Sequence, residues 1–349
     1  MGNSSLLGQL DSWSERINGW VDQGHFPGGV LDIRLDKRNR FQRAYGRLNA
    51  DKLLPMELST VFDSASLTKV VVTLPSILLL AQAGELDLSD SVQKFIPEFR
   101  HGQVTLRQCL MHSSGLPADL ANRLERYTER GVFQEILEQE LEYDPGTRTN
   151  YSDIGMILIG NIISRVSGQP LDKFAKQHIF DPLGMLDSTF RPPKAWQDRI
   201  APTEWDGSRY IIGEVHDEKA FRLGGVCGSA GLFTTADDLS RYALSWLYPE
   251  EYPLLKPEWV KASLQALPEE RGLGWQLWQG QEETLACGRL WSHGTFGHTG
   301  FTGCSLWIDP VRELVVVFMT NAVHFGREKP IRQLRPILHD RIFHDALQV

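Results

Sequence analysis

Leu6, Leu10, Trp13, Ile17 and Trp20 recur at three- and four-residue intervals among polar and charged neighbours, the stripe of an amphipathic N-terminal helix. The period then changes to two. Leu31-Asp-Ile33-Arg-Leu35 reads as a strand, and Phe41 to Gly46, beyond Lys37-Arg-Asn39, as its hairpin partner. From about Ser66 to Met185 helical signals dominate: the apolar helix after Ser66, then Thr105 to Met111, Phe133 to Leu141, Ile154 to Val166 and Leu171 to Phe180. Strand signals return at Gly274 to Trp278, Gly303 to Ile308 and, past a turn at Asp309-Pro310, Leu314 to Met319. A helix from about Pro330 to Leu347 closes the pattern. No repeat, low-complexity tract or Pro/Gly/Ser-rich linker interrupts it, which predicts one body of two lobes across residues 1–349. One lobe takes in about 1–65 and 225–349, and a mainly helical lobe, about 66–224, is inserted between those parts.

Composition narrows the class. With 42% hydrophobic and 23% charged residues the chain has the makeup of an ordinary globular protein. The 44 acidic residues outnumber 36 basic ones for a net charge of -8, which repels phosphate backbones and argues against nucleic acid as a partner. The longest apolar run, Val70 to Ala81, is too short to span a bilayer and contains Pro75, so it predicts a buried helix rather than a membrane anchor. The first residues do not read as a signal peptide, and the expected location is cytoplasmic. Cys109, Cys227, Cys287 and Cys304 lack metal or redox spacing and are expected as buried thiols.

Ser66-Leu-Thr-Lys69 heads the apolar helix and places a hydroxyl and an amine on one helical face. A serine hydroxyl needs a neighbour to take its proton, and a desolvated lysine with a lowered pKa can do so. The unpaired N–H groups of a helix N-terminus there favour the negative charge that develops. The pattern is common by chance, and Ser91-Val-Gln-Lys94 repeats it in a polar turn, where a solvated helix start with Asp90 near the N-cap explains it. Two further motifs single out Ser66: Tyr151-Ser152-Asp153, in a turn after Asp144-Pro-Gly146, and His298-Thr299-Gly300, whose small residues let a substrate lie along a strand edge. No G-x-S-x-G elbow, H-E-x-x-H or phosphate-cradling glycine loop is present, and His293 and His298 have no partnering cluster for a metal.

The Ser-x-x-Lys, Tyr-Ser-Asp and His-Thr-Gly series resembles the β-lactamase-related serine hydrolases and penicillin-binding proteins, and Leu110-Met-His-Ser-Ser-Gly-Leu116 and Pro182-Leu-Gly-Met185 fit the same likeness. The resemblance implies an α/β (α+β) fold of the β-lactamase/transpeptidase type, an antiparallel sheet flanked by N- and C-terminal helices, within a single catalytic domain. It implies Ser66 as nucleophile, Lys69 and Tyr151 as proton carriers, and the backbone N–H groups of Ser66 and Phe301 as the oxyanion hole, with no metal or cofactor. Such families commonly carry asparagine where this chain has Asp153 and lysine where it has His298. A largely neutral histidine supplies no permanent cation for a β-lactam or D-alanyl carboxylate, and Asp153 would hold Lys69 protonated and move base work toward Tyr151. Gly213-Glu-Val-His216-Asp217-Glu218, leading into Gly224 to Phe233, resembles the branch of cytosolic N-acetylmuramyl-L-alanine amidases. His216 and Asp217 are candidate substrate contacts there, although a turn cap and glycine packing against the Ser66 helix explain the segment equally well. The expected substrate is a cell-wall-derived muramyl peptide. A small ester, a D-alanyl peptide or β-lactam, and a non-catalytic sensor or scaffold are the alternatives.

Overall fold

The computed structural model describes residues 2–50, 54–121, 124–127, 131–265, 271–328 and 330–346, with side chains from Ser12 onward. The strands among these residues are β1 (Gly28–Leu35), β2 (Arg40–Gly46), β3 (Phe62–Asp63), β4 (Phe233–Thr234), β5 (Gln276–Trp278), β6 (Thr295–Thr299), β7 (Ser305–Asp309) and β8 (Leu314–Thr320). Six of them form one sheet in the order β2-β1-β8-β7-β6-β5, antiparallel throughout, so the first hairpin lies beside the last strands. β3 and β4 form a separate small ladder.

The alternation along β8 shows how the layers arise. Leu314, Val316 and Phe318 face Trp13, Ile17 and Trp20 of the first helix (Gly2–Asp22) and Leu334, Leu338 and Ile342 of the last (Ile331–Ala346). Val315, Val317 and Met319 face the larger core that includes the helices Leu74–Gln82, Asp153–Ser167 and Ala236–Leu247. Burial on both faces is why the strand reads as an unbroken apolar run. Each such side chain contributes about 1.5–3 kcal/mol on full burial.

Pro75 lies in the first turn of Leu74–Gln82, directly after a π-helical turn over Lys69–Thr73. At that position its missing N–H removes little of the regular ladder, so the apolar run stays helical. Several expected elements are shorter or shifted. Thr105 is the N-cap of Leu106–Leu110, with Gln108 completing a capping box, and Phe133 to Leu141 contracts to Val132–Leu137. Asp309, expected in a turn, ends β7 fully buried, because its carboxylate accepts the N–H groups of Ser292, Val311 and Arg312 at 2.9–3.0 Å. All four cysteines are buried and unpaired. Among the described residues no helix is long and apolar enough to cross a membrane.

Candidate active site

Ser66 sits between the end of β3 and the buried helix, and the chain is bent sharply to present it. Ala65, just before it, has φ +48°, an uncommon conformation for a residue with a Cβ. The buried carboxylate of Asp63 holds this bend, accepting the Ala65 N–H at 2.9 Å and the His216 N–H at 2.7 Å. Thr68 Oγ1 donates to the Ala65 carbonyl at 2.6 Å and accepts the Leu232 N–H at 3.1 Å. Three segments distant in sequence therefore meet under the nucleophile position.

Lys69 is fully buried, and its Nζ donates to Ser66 Oγ at 2.9 Å and to the Ser229 carbonyl at 2.8 Å, with Asp153 Oδ1 at 2.8 Å. Burial alone would depress its pKa. The Asp153 carboxylate, with Tyr151 adding to it, more than offsets that and holds the ammonium well above the usual lysine range. Asp153 is held down at about 2: burial opposes its charge, and Lys69 and Lys219 restore it. The Ser229 carbonyl reaches Lys69 because Gly228 packs backbone to backbone on Gly160 of the helix Asp153–Ser167. The glycine-rich segment thus serves packing at Gly228, while Ala230 beyond it lines the cleft.

Tyr151 lies over Lys69, with Nζ 5.0 Å from the ring centroid, and between the rings of His112 at 4.5 Å and His298 at 5.8 Å. His112, in a left-handed conformation with φ +57°, accepts the Ser152 N–H on Nδ1 at 3.1 Å and the Asn150 N–H on its carbonyl at 2.7 Å. It clamps the Tyr-Ser-Asp turn from both sides. Ser152 caps the helix that Asp153 begins. The guanidinium of Arg271 also lies 5.4 Å from the Tyr151 ring centroid.

A cleft of about 340 Å³ is lined by Ser66, Tyr151, Asp153, His216, Asp217, Lys219 and Phe301, among others. Phe301 is stacked on His216 at 5.8 Å, and His216 Nε2 is 3.0 Å from Glu204. Asp217 caps a short helix by accepting the Ala220 N–H at 2.8 Å and also lines the cleft, so the capping and substrate-facing roles coexist. Thr299 and Gly300 line a second cavity of about 430 Å³ beside Phe301 instead. A Cβ at Gly300 would stand 2.3 Å from the Ser64 carbonyl, so only glycine lets β6 pass this close to the nucleophile turn.

His298, expected along the substrate-binding edge, lies beneath Tyr151 with Nδ1 2.8 Å from the Thr299 carbonyl and lines neither cavity. Burial, and then the charges of Lys69 and Arg271, bring its pKa down to about 3, so it is a neutral packing partner of the phenol. Ser91 is the N-cap of Val92–Phe95, with Asp90 directly before it as expected of a solvated helix start, and Lys94 pairs with Asp90. Sequence reasoning missed Lys219, Asp119, Arg271 and the Ser229 carbonyl. Only Lys219 had a signal, one residue beyond the His216-Asp217-Glu218 segment.

The buried histidines predict acid lability. His298 and His339 fall to about 3, and His112 is also lowered well below its ordinary value, each chiefly by burial. The unfolded chain binds these protons first, so their stability contribution is complete above the unfolded histidine pKa and is lost as pH falls toward 3. Each costs about 1.4 kcal/mol per pH unit in that window. Melting temperature should drop steeply from neutral to mildly acidic pH, and His339→Gln should flatten the slope. An unchanged slope in that variant would count against a neutral buried His339.

A family model described as "Beta-lactamase" matches residues 13–338. A relative from Escherichia coli (strain K12), named "Putative D-alanyl-D-alanine carboxypeptidase", is 33% identical, the match covering 92% of this chain and 83% of its own. Among solved structures, a mutant simvastatin synthase from Aspergillus terreus aligns with TM-score 0.78 at 21% identity over 98% of both chains. EstCE1, described as a hydrolase with promiscuous acyltransferase activity, aligns with TM-score 0.75 at 21% identity over 96% of this chain and 99% of its own. At these identities the two structures show likeness of fold. Because the family model spans most of the chain and the bacterial relative matches along most of both lengths, this chain belongs to the β-lactamase family and is a serine hydrolase.

Proposed function

We propose that the protein hydrolyses an amide bond in cell-wall-derived peptides through an acyl-enzyme on Ser66. The observation that carries this is the Lys69 ammonium on Ser66 Oγ at 2.9 Å, in a cleft that Tyr151 shares. An ammonium has three protons and no acceptor. Two of them go to Ser66 Oγ at 2.9 Å and Ser229 O at 2.8 Å, while Asp153 Oδ1, 2.8 Å away, is an ion-pair partner. Lys69 therefore orients Ser66 and stabilises negative charge, and Tyr151, entering the step as the phenolate with its own proton already released to solvent, takes the serine proton as Ser66 Oγ bonds to the substrate carbonyl carbon. The oxyanion faces the N–H groups of Ser66 and Phe301. Tyr151 passes the proton to the leaving amine, and water attacks the ester to release the acid and regenerate Ser66.

Two bonds are candidates. A lactyl–L-alanine amide follows from the His216-Asp217 segment in the cleft. A terminal D-alanyl amide is favoured by the second cavity, which meets the first at Phe301 and Arg327 and is lined by Arg332 and the buried Arg335. The guanidinium of Arg335 donates to the Gly300 carbonyl at 3.0 Å, and its Nε has no partner among the described residues. That is a cation suited to a substrate carboxylate, in place of the neutral His298.

The test is product analysis by mass spectrometry with a muramyl-L-alanyl peptide, a peptide ending in D-alanyl-D-alanine, a chromogenic β-lactam and a short-chain ester. Amide cleavage of one peptide, with slow β-lactam turnover, is expected. Ester hydrolysis with both peptides untouched would make the protein an esterase.

A further inference from the structure

Asp153 is shared by two buried lysines. Lys69 Nζ is 2.8 Å from Oδ1, and Lys219 Nζ is 3.3 Å from Oδ2. Lys219 is 2% exposed, and its remaining partners are Asp119 Oδ1 at 3.0 Å and Asp217 Oδ2 at 3.1 Å. The group is thus a chain of alternating charge, Lys69, Asp153, Lys219, with Asp119 and Asp217 on its far side. Without Lys219, Asp153 would keep Lys69 as its ion-pair partner, and its full charge would act on the proton held between Ser66, Lys69 and Tyr151.

We propose that Lys219 is a positioning residue which, by drawing on Asp153 from the side away from the nucleophile, sets the pH at which the Ser66–Lys69–Tyr151 group becomes active. Lys219 lines the same cleft as Ser66, but its ammonium is committed to three carboxylates, so it acts through Asp153 and not on the reacting bond. The assignment rests on Ser66 as nucleophile and not on which peptide bond is cut.

The other charges around the pair are fixed by the fold. From the His112 loop, β6 and the Arg271 segment, His112, His298 and Arg271 face the same Tyr151 ring. Burial keeps both histidines neutral, so they do not compete in the working range. Asp63 and Cys227 lie within the field of Asp217 and are themselves buried groups held toward their protonated forms. Lys219 carries its proton firmly: burial opposes the charge, but Asp217, Asp153 and Asp119 together lift its pKa far above the ordinary lysine value. It is a permanent cation.

The sign follows from charge alone. Removing the Lys219 cation strengthens proton binding at the nucleophile group, whether Lys69 or Tyr151 releases the proton, and moves the acid limb of kcat/KM to higher pH by about one unit. Removing the Asp153 charge moves it the other way.

The experiment measures kcat/KM against pH for p-nitrophenyl acetate, an activated ester that reports Ser66 independently of the natural substrate. It uses the full chain, Lys219→Met, Lys219→Arg, Asp153→Asn, the double variant Lys219→Met/Asp153→Asn and Ser66→Ala, with melting curves to confirm folding. Lys219→Met should shift the limb upward and lose about tenfold on the acid side. Lys219→Arg should keep the parental limb. The double variant should share the limb of Asp153→Asn, because Lys219 acts through that carboxylate, and Lys219→Gln repeats the single-variant measurement if Lys219→Met does not fold. A folded Lys219→Met or Lys219→Gln with lower activity but an unmoved limb, or a double variant whose limb is displaced from that of Asp153→Asn, would overturn the proposal. Turnover that survives Ser66→Ala would instead overturn the nucleophile assignment.

Discussion

Ser66→Ala lowers turnover by about 10⁴-fold or more, a loss of about 5.5 kcal/mol of transition-state stabilisation, while leaving the fold intact. The size follows from what is removed. The hydroxyl is the atom that would become covalently bound, and without it Lys69, Tyr151 and the N–H groups at Ser66 and Phe301 have only water to activate. Stability should fall by about 1 kcal/mol, since Ser66 is half-buried and the buried Lys69 ammonium loses one oxygen partner while keeping Ser229 O and the Asp153 carboxylate. Ser91→Ala is the informative contrast. Ser91 accepts the Gln93 N–H at 3.1 Å as a helix cap, so its loss costs about 1 kcal/mol of stability and nothing in turnover. The pair of measurements, rates for both and unfolding curves for both, separates a chemical serine from a structural one with the same sequence spacing. Equal turnover by Ser66→Ala and the parent would sink the assignment.

Gly228→Ala destabilises the protein by about 3 kcal/mol and reduces activity with it. A Cβ at Gly228 would stand 2.1 Å from the Met156 carbonyl and 3.0 Å from the Gly160 N, both backbone atoms of the helix that begins at Asp153. Neither can yield without separating that helix from the segment that carries the Ser229 carbonyl. The same residue's carbonyl accepts Thr73 Oγ1 at 2.6 Å, which ties the segment to the Ser66 helix. Urea unfolding should show a lower midpoint with an unchanged slope, and the fraction still folded should have reduced kcat because Lys69 loses an oxygen partner. An unchanged midpoint would mean that the two backbones are not in contact.

The parts of the fold legible in the sequence are those where one face is buried or a whole run is apolar. Trp13, Ile17 and Trp20 gave the first helix, and the β8 run Leu314 to Met319 gave a strand, because burial fixes periodicity there. β6 was harder to read: Thr295-Phe-Gly-His-Thr299 is short and glycine-bearing, and Gly297 is required by the Trp307 side chain and the Leu306 carbonyl across the ladder, a tertiary demand that leaves no local pattern. The three-motif spacing brought Ser66, Lys69 and Tyr151 together. It did not reveal that His298 turns beneath the phenol, nor that Lys219 completes the charge around Asp153, because both facts depend on which segments pack against one another. The departure from the expected asparagine at Asp153 was visible in the sequence, and its compensation was not.

The position of β1 between β2 and β8 has a consequence for how the chain acquires its structure. During synthesis the β1–β2 hairpin emerges early, with the edge that will pair with Leu314–Thr320 still open and the apolar face that will meet the last helix uncovered. Trp13 Nε1 donates to Asp345 Oδ2 at 2.8 Å, 332 residues on, so Gly2–Asp22 docks on Ile331–Ala346 only once synthesis has passed Asp345. Such non-local pairing makes folding slow and leaves an aggregation-prone edge exposed meanwhile. Truncation within the last helix should therefore lower the yield of soluble protein far more than its distance from Ser66 implies.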